Sequence, residues 1–385
     1  MKKHHFPLIL KSLAFLLIFF GLLFHISNVL RPEVTIQGNN ERLGMLGIYA
    51  EPKNTIDVLY FGSSDATAFW SPFTAYEQTG FTSYTYGKSM MRASMFEDML
   101  NEALKTQSPS LVIVSLRTIL QSGDTVEEAA LRSVTDSLPY STLNRWKMIF
   151  RNHGKIVLSD NAIENEGTGE PTKSLFAEIP FYFDIMKYHD NWQHIWEGSY
   201  HYRGLGRFSS STKGYFVGTG CVQQKRDPSV SQISKSMELS ESAENALHAL
   251  MQRADRDGFS ILFVMPPYCE STEDRMRFNR AAELISEAGH MAIDFNDFWN
   301  EIGMDAENDF YDPGHANILG ARKFTAFLTD YLSTHYDLPD RRTDPRYAAW
   351  QEGLENWHKT ESDALRNTIS KRKFVFEDDS FAGKE

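Results

Sequence analysis

Cysteine and positive charge are both scarce in this chain. Its 385 residues hold only two cysteines, Cys221 and Cys269, which are too few for a disulfide framework and too scattered for a metal motif. Spacing leaves open whether the two pair. Lys and Arg number 39 against 51 Asp and Glu, a net charge of -12. That balance excludes a nucleic-acid partner as the working expectation, because phosphate binding needs a basic face. Neither a phosphate loop nor zinc-like His/Cys spacing occurs, so no metal, nucleotide or other cofactor is implied. Repeats and low-complexity tracts are lacking too. What remains, 42% hydrophobic and 13% aromatic residues, is the composition of a folded chain, long enough for one large domain or two smaller ones.

Long apolar runs are also absent, with one exception. Met1-Lys2-Lys3-His4-His5 precedes a largely apolar stretch from Phe6 to about Val29, interrupted by Lys11 and His25. About 20 helical residues cross a hydrocarbon core, and Lys11 is near enough to the basic end to snorkel toward it. Lysines ahead of the run place residues 1–5 in the cytoplasm and everything beyond Val29 outside. Phe24-His25-Ile26-Ser27 offers no small-x-small cleavage site, so residues 6–29 read as an uncleaved transmembrane anchor.

Residues 30–54, with Pro32, Gly38, Asn39 and Asn40, suit a stalk. From residue 55 to about 335 strand and helix signals alternate. Ile56 to Phe61 is a buried strand ending at Gly62, and Met95 to Thr106 has a helical apolar face broken by Pro109. Leu111 to Leu116 is a second strand. Further on come a helix at about 242–256, a strand at 260–265, a helix at about 272–288, a short strand around 291–295 and a helix at about 317–332. This order implies an α/β fold, three-layered, with a mainly parallel sheet covered on both faces. The stretch from about 121 to 235 breaks the alternation. It carries Phe176, Phe181, Tyr182, Phe183, Tyr188, Trp192, Trp196, Tyr200, Tyr202, Tyr215 and Phe216, and reads as an insertion that packs on the sheet edge or roofs a site. These aromatics serve either as core or as a stacking surface. Residues 336–385 form a polar tail with an amphipathic helix at about 347–368 and a frayed charged end.

Two motifs carry chemistry. Gly62-Ser63-Ser64-Asp65 follows the first strand, and Asp312-Pro313-Gly314-His315 precedes the last helix of the series. A serine hydroxyl needs a base to become a nucleophile, and an imidazole needs an acceptor on its other nitrogen to hold its tautomer. In open parallel sheets, residues at the carboxyl ends of strands share one crevice. A helix cap for Ser64 and a helix start for Asp312 are the plainer readings of each motif alone.

Taken together, a strand ending in Gly-x-Ser, a glycine in the next loop and Asp-x-x-His before the last helix resemble the SGNH/GDSL hydrolase superfamily over residues 55–335. The chain is most similar to membrane-anchored bacterial DltD-like members and to those encoded beside membrane-bound O-acyltransferases. The resemblance implies a flavodoxin-like α/β/α fold, with Ser64 as nucleophile, His315 as general base and Asp312 as its orienting carboxylate. It also places Gly87 with Ser64 as backbone donors of the oxyanion hole. Ser63 stands where Asp is usual, Thr85 where Asn is frequent, and no Gly-x-Asn-Asp follows Leu111–Leu116. Arg117 occupies that neighbourhood, as a side-chain donor, an anion-binding group or a structural ion pair.

The implied function is an extracytoplasmic serine esterase or acyltransferase, acting on O-linked acyl groups of a cell-envelope glycopolymer from a single-pass anchor in the bacterial cell membrane. A non-catalytic scaffold that holds an acylated carrier or polysaccharide for a membrane-bound O-acyltransferase is the alternative.

Overall fold

The computed structural model describes residues 5–31, 40–139, 141–158, 175–195 and 209–378. In chain order the strands are β1 (Val58–Gly62), β2 (Ser83–Gly87), β3 (Leu111–Ser115), β4 (Val126–Glu127), β5 (Ile156–Val157), β6 (Ser260–Met265), β7 (Met291–Asp294), β8 (Phe310–Asp312) and β9 (His315–Ala316). Five of them make a parallel sheet in the order β2-β1-β3-β6-β7. The protein is therefore α/β with a mainly parallel sheet, preceded by one apolar N-terminal helix.

The sheet forms where apolar runs are continuous rather than alternating, as expected for strands buried on both faces. Every residue of β1, β2 and β3 is buried. Helices between the strands are delimited by local chemistry. Ser271 and Asp274 form a reciprocal capping box ahead of the helix Thr272–Glu287. Ser240 caps the start of Glu241–Asp257, and Gly258, with φ 76°, closes it in the left-handed conformation. The strand β2 lies at one edge and contains Gly87, a residue expected in a loop.

The N-terminal helix spans His5–Leu30. Its segment Leu8–Leu30 has a mean hydropathy of 2.3 and is long and apolar enough to cross a membrane. Two terminal expectations change. Of the expected stalk at 30–54, residues 32–39 lie outside the described residues, but Asn40–Gly47 is a helix. Met45 and Ile48 are buried in the core, and Tyr84 donates its hydroxyl to the Gly44 carbonyl. This segment belongs to the folded domain because its apolar side chains cover the β2 side of the sheet. The expected polar tail is also domain: the helix Ala348–Asp378 buries Trp350, Trp357 and Ala364. Phe73 and Tyr215 pack against Trp357, with ring centroids 6.3 and 5.7 Å away. Residues 379–385 lie outside the described residues.

The insertion has two parts. Helices Glu128–Thr135, Leu143–Arg151 and Leu175–Tyr182 gather around Asp184, which is fully buried. Asp184 accepts from Arg145 Nη2 at 2.8 Å, Arg132 Nη1 at 3.1 Å and Arg31 Nε at 2.9 Å. The return segment then runs past the sheet edge, where Thr85 N donates to Lys213 O at 2.9 Å. It continues along β8, where Val222 N donates to Phe310 O at 2.9 Å. The insertion thus both covers the sheet edge and flanks the β8–β9 hairpin. Its aromatics divide accordingly: Phe181 and Tyr215 are core, Tyr182 packs against the core, and Phe183 and Trp192 are exposed. The Phe176 side chain, Trp196, Tyr200 and Tyr202 lie outside the described residues.

Candidate active site

Ser64 opens the short helix Ser64–Phe69 at the carboxyl end of β1. As the first helical residue, its backbone N–H has no partner within the helix. The turn is tight: a side chain at Gly62 would meet Ala66 Cβ at 2.8 Å and Ser115 Cβ at 2.9 Å. Asp65, buried beside Ser64, accepts hydrogen bonds from Ser115 Oγ and, at 3.3 Å, from Thr118 Oγ1. This carboxylate ties the Ser64 turn to the end of β3.

Asp312 and His315 face each other across the two-residue turn between β8 and β9. Asp312 Oδ1 lies 2.6 Å from His315 Nδ1 and accepts from Gly314 N at 2.9 Å. The same carboxylate oxygen therefore fixes both the turn and the ring. His315 Nε2 lies 2.7 Å from Ser64 Oγ. The contact joins residues 251 positions apart in the chain, and it is a distance at which a hydroxyl donates to a neutral imidazole. With Nδ1–H directed to Asp312, Nε2 is the acceptor. The His315 side chain is 25% exposed and that of Asp312 38%, so the three groups meet at an open surface rather than in a closed cavity.

The hairpin is held from several sides. Asn317 caps the following helix, accepting from Leu319 N at 2.9 Å, while its amide donates to Asn308 O at 2.7 Å and Gly220 O at 3.0 Å. Phe216, whose N–H donates to Thr67 O at 2.8 Å, packs edge-on against Tyr311, with centroids 5.5 Å apart. The return of the insertion thus bridges the Ser64 helix and the hairpin. Arg117 Nη1 donates to Gly314 O at 2.6 Å, and its guanidinium stacks over Tyr268 at 4.5 Å. These are contacts that position the Asp312–His315 turn.

Gly87 pairs with Gly62 across β1 and β2. A Cβ there would sit 2.5 Å from Gly62 O and 2.9 Å from Ser63 O, so only glycine allows this approach to the peptide units leading into Ser64. The structure therefore brings Ser64, His315, Asp312 and Gly87 to one end of the sheet, with Arg117 behind the hairpin. The Asp65–Ser115–Thr118 cluster, the Asn317 brace and the Phe216–Tyr311 wall were not legible beforehand. Asp65 had the signal of adjacency to Ser64, and Asn317 that of a helix cap just after His315.

Among the described residues, no group of three or more His, Cys, Asp or Glu is arranged to hold a metal ion. Cys221 and Cys269 do not form a disulfide, and burial pushes the Cys269 thiol up to about 11. No protein-family model and no curated protein matches the chain.

Proposed function

We propose that the protein is a membrane-anchored serine esterase or acyltransferase of SGNH/GDSL type, acting outside the cytoplasm on O-linked acyl groups of a cell-envelope polymer. The hydrogen-bonded series Ser64–His315–Asp312, with contacts of 2.7 and 2.6 Å, is the observation that carries this reading. In the first half-reaction Ser64 Oγ attacks the acyl carbonyl while His315 Nε2 takes its proton. The imidazolium, steadied by Asp312, then protonates the departing alkoxide as the old ester bond breaks. In the second, water or an acceptor hydroxyl gives its proton to His315 and attacks the acyl-Ser64 ester, which regenerates the free serine. Backbone N–H groups of Ser64 and Gly87 serve the developing oxyanion, a contribution of several kcal/mol where such donors are preorganised.

Two further features support the polymer as substrate. The triad stands at an open surface, which admits a chain that could not enter a closed pocket, and the apolar N-terminal helix suits an enzyme working on material assembled at the same bilayer. The lysines at its start give the outward orientation. The test is release or transfer of acetate or D-alanine from an O-acylated envelope polymer by the full chain in detergent. Wild type should consume the acyl ester and Ser64→Ala should not. Equal activity in the two would refute the acyl-enzyme.

A further inference from the structure

The N-terminal helix does not lead into a free linker. Its large apolar side chains from Leu8 to Ile26 are exposed almost throughout, but Ser27, Val29, Leu30 and Arg31 are buried. The last turn enters the insertion. Asn191 Nδ2 donates to Leu30 O at 2.8 Å, and Arg31 donates to Asp184 Oδ2 at 2.9 Å and to Leu138 O at 2.8 Å. A hydrocarbon core takes up about 20 helical residues, which the exposed stretch supplies with nothing to spare. The folded domain therefore begins where the bilayer ends.

The elements that receive this turn are the helix Ile185–Tyr188 and the 3-10 helix His189–His194. They and their flanks present Phe183, Met186, Trp192 and Ile195, with exposures of 39, 52, 64 and 37%. Large apolar side chains exposed on a soluble surface mark a contact when they cluster, and these four lie on or beside the two elements that receive the end of the anchor helix. Lys187, in the same stretch, pairs with Glu128 at 2.8 Å, so the apolar and aromatic side chains carry the argument.

We propose that residues 183–195 are a membrane-contact element: Phe183, Met186 and Trp192 insert into the headgroup–acyl boundary of the bilayer that holds the anchor. Tryptophan is the side chain best suited to that layer, with an apolar body and one polar N–H. Because Asp184 is bound by arginines from the anchor and from two insertion helices, the contact fixes the domain's attitude over the membrane. The proposal rests on the anchor reading and is independent of the chemistry at Ser64.

The full chain contains seven tryptophans, none of them in the anchor. We would reconstitute wild type and Trp192→Phe into phosphatidylcholine–phosphatidylglycerol vesicles, with and without brominated acyl chains, and measure tryptophan quenching after flotation. Wild type should be quenched by the brominated lipid, and Trp192→Phe should lose most of that quenching. Equal fractional quenching in the two floated proteins would overturn the contact. Protein that fails to float would overturn the anchor and the contact together, while leaving fluorophosphonate labelling of Ser64 as a separate question.

Discussion

The strand–helix frame and the inserted segment bury their surface in different ways. In the frame, strands such as β3 carry unbroken apolar runs, Leu111 to Val114, and helices start on local caps such as the Ser271–Asp274 capping box. In the insertion, the centre is a carboxylate. Asp184 is held by Arg145, Arg132 and Arg31, which lie 39, 52 and 153 positions away in sequence. The frame is specified by short-range pattern and the insertion by long-range charge pairing. The first should tolerate conservative exchange, and the second should fail when one group is removed.

The two regions also divide the labour. The triad sits wholly on the frame, so His315→Ala should lower kcat/KM by about 10^4-fold or more, with an unchanged unfolding midpoint. A large stability loss would mean that the hairpin is a structural element first. Conversely, Asp184→Ala leaves three buried guanidinium groups short of their carboxylate and should cost about 3–5 kcal/mol in denaturant unfolding. Its folded fraction should still react at Ser64. A cost below about 1 kcal/mol would show that the insertion is held by its apolar contacts instead, since exposed ion pairs are worth no more than that.

Gly87→Ala tests the frame where two backbones meet. The added methyl would lie 2.5 Å from Gly62 O, and overpacking of this kind costs about 1–3 kcal/mol. Activity should fall with it, because the displaced peptides lead into Ser64. An active, fully stable Gly87→Ala protein would remove the close approach from the account of the site.

The smallest effect concerns Asp98, whose side chain is 1% exposed and whose carboxyl is pushed up to about 6 by burial, partly offset by Arg151 at 3.2 Å. Between about pH 4 and 6 the native state keeps a proton that the unfolded chain has lost, so stability falls as pH rises through that window and then levels. Asp98→Asn removes the penalty. Its gain over wild type should be absent near pH 4, grow as pH rises through the window and be complete at pH 7 and above. A gain that is the same at both pH values would contradict the cause assigned to the shift.

This contrast explains what could be read from the sequence. Ser64, Asp312 and His315 were legible because each motif is contiguous and the alternating elements imply where strand ends converge. Gly87 was legible as a residue but not as part of β2, since Ser83-Tyr84-Thr85-Tyr86 lacks the aliphatic run that marked the other strands. Burial of Met45 and Ile48 was hidden by the Pro, Gly and Asn around them, which suited a stalk. An amphipathic helix at about 347–368 was legible, but not the domain surface made by Phe73 and Tyr215 on which its Trp350 and Trp357 pack. The role of Asp65 depends on Ser115, 50 positions away, and no local pattern announces such a pair.

The central claim is that Ser64 is activated by His315. Its most direct test is intact-mass analysis of the full chain in detergent after treatment with a fluorophosphonate. Wild type should gain a single adduct, Ser64→Ala none, and His315→Ala should react far more slowly than wild type. Wild type that stays unlabelled, or a Ser64→Ala chain that labels as fast as wild type, would contradict it.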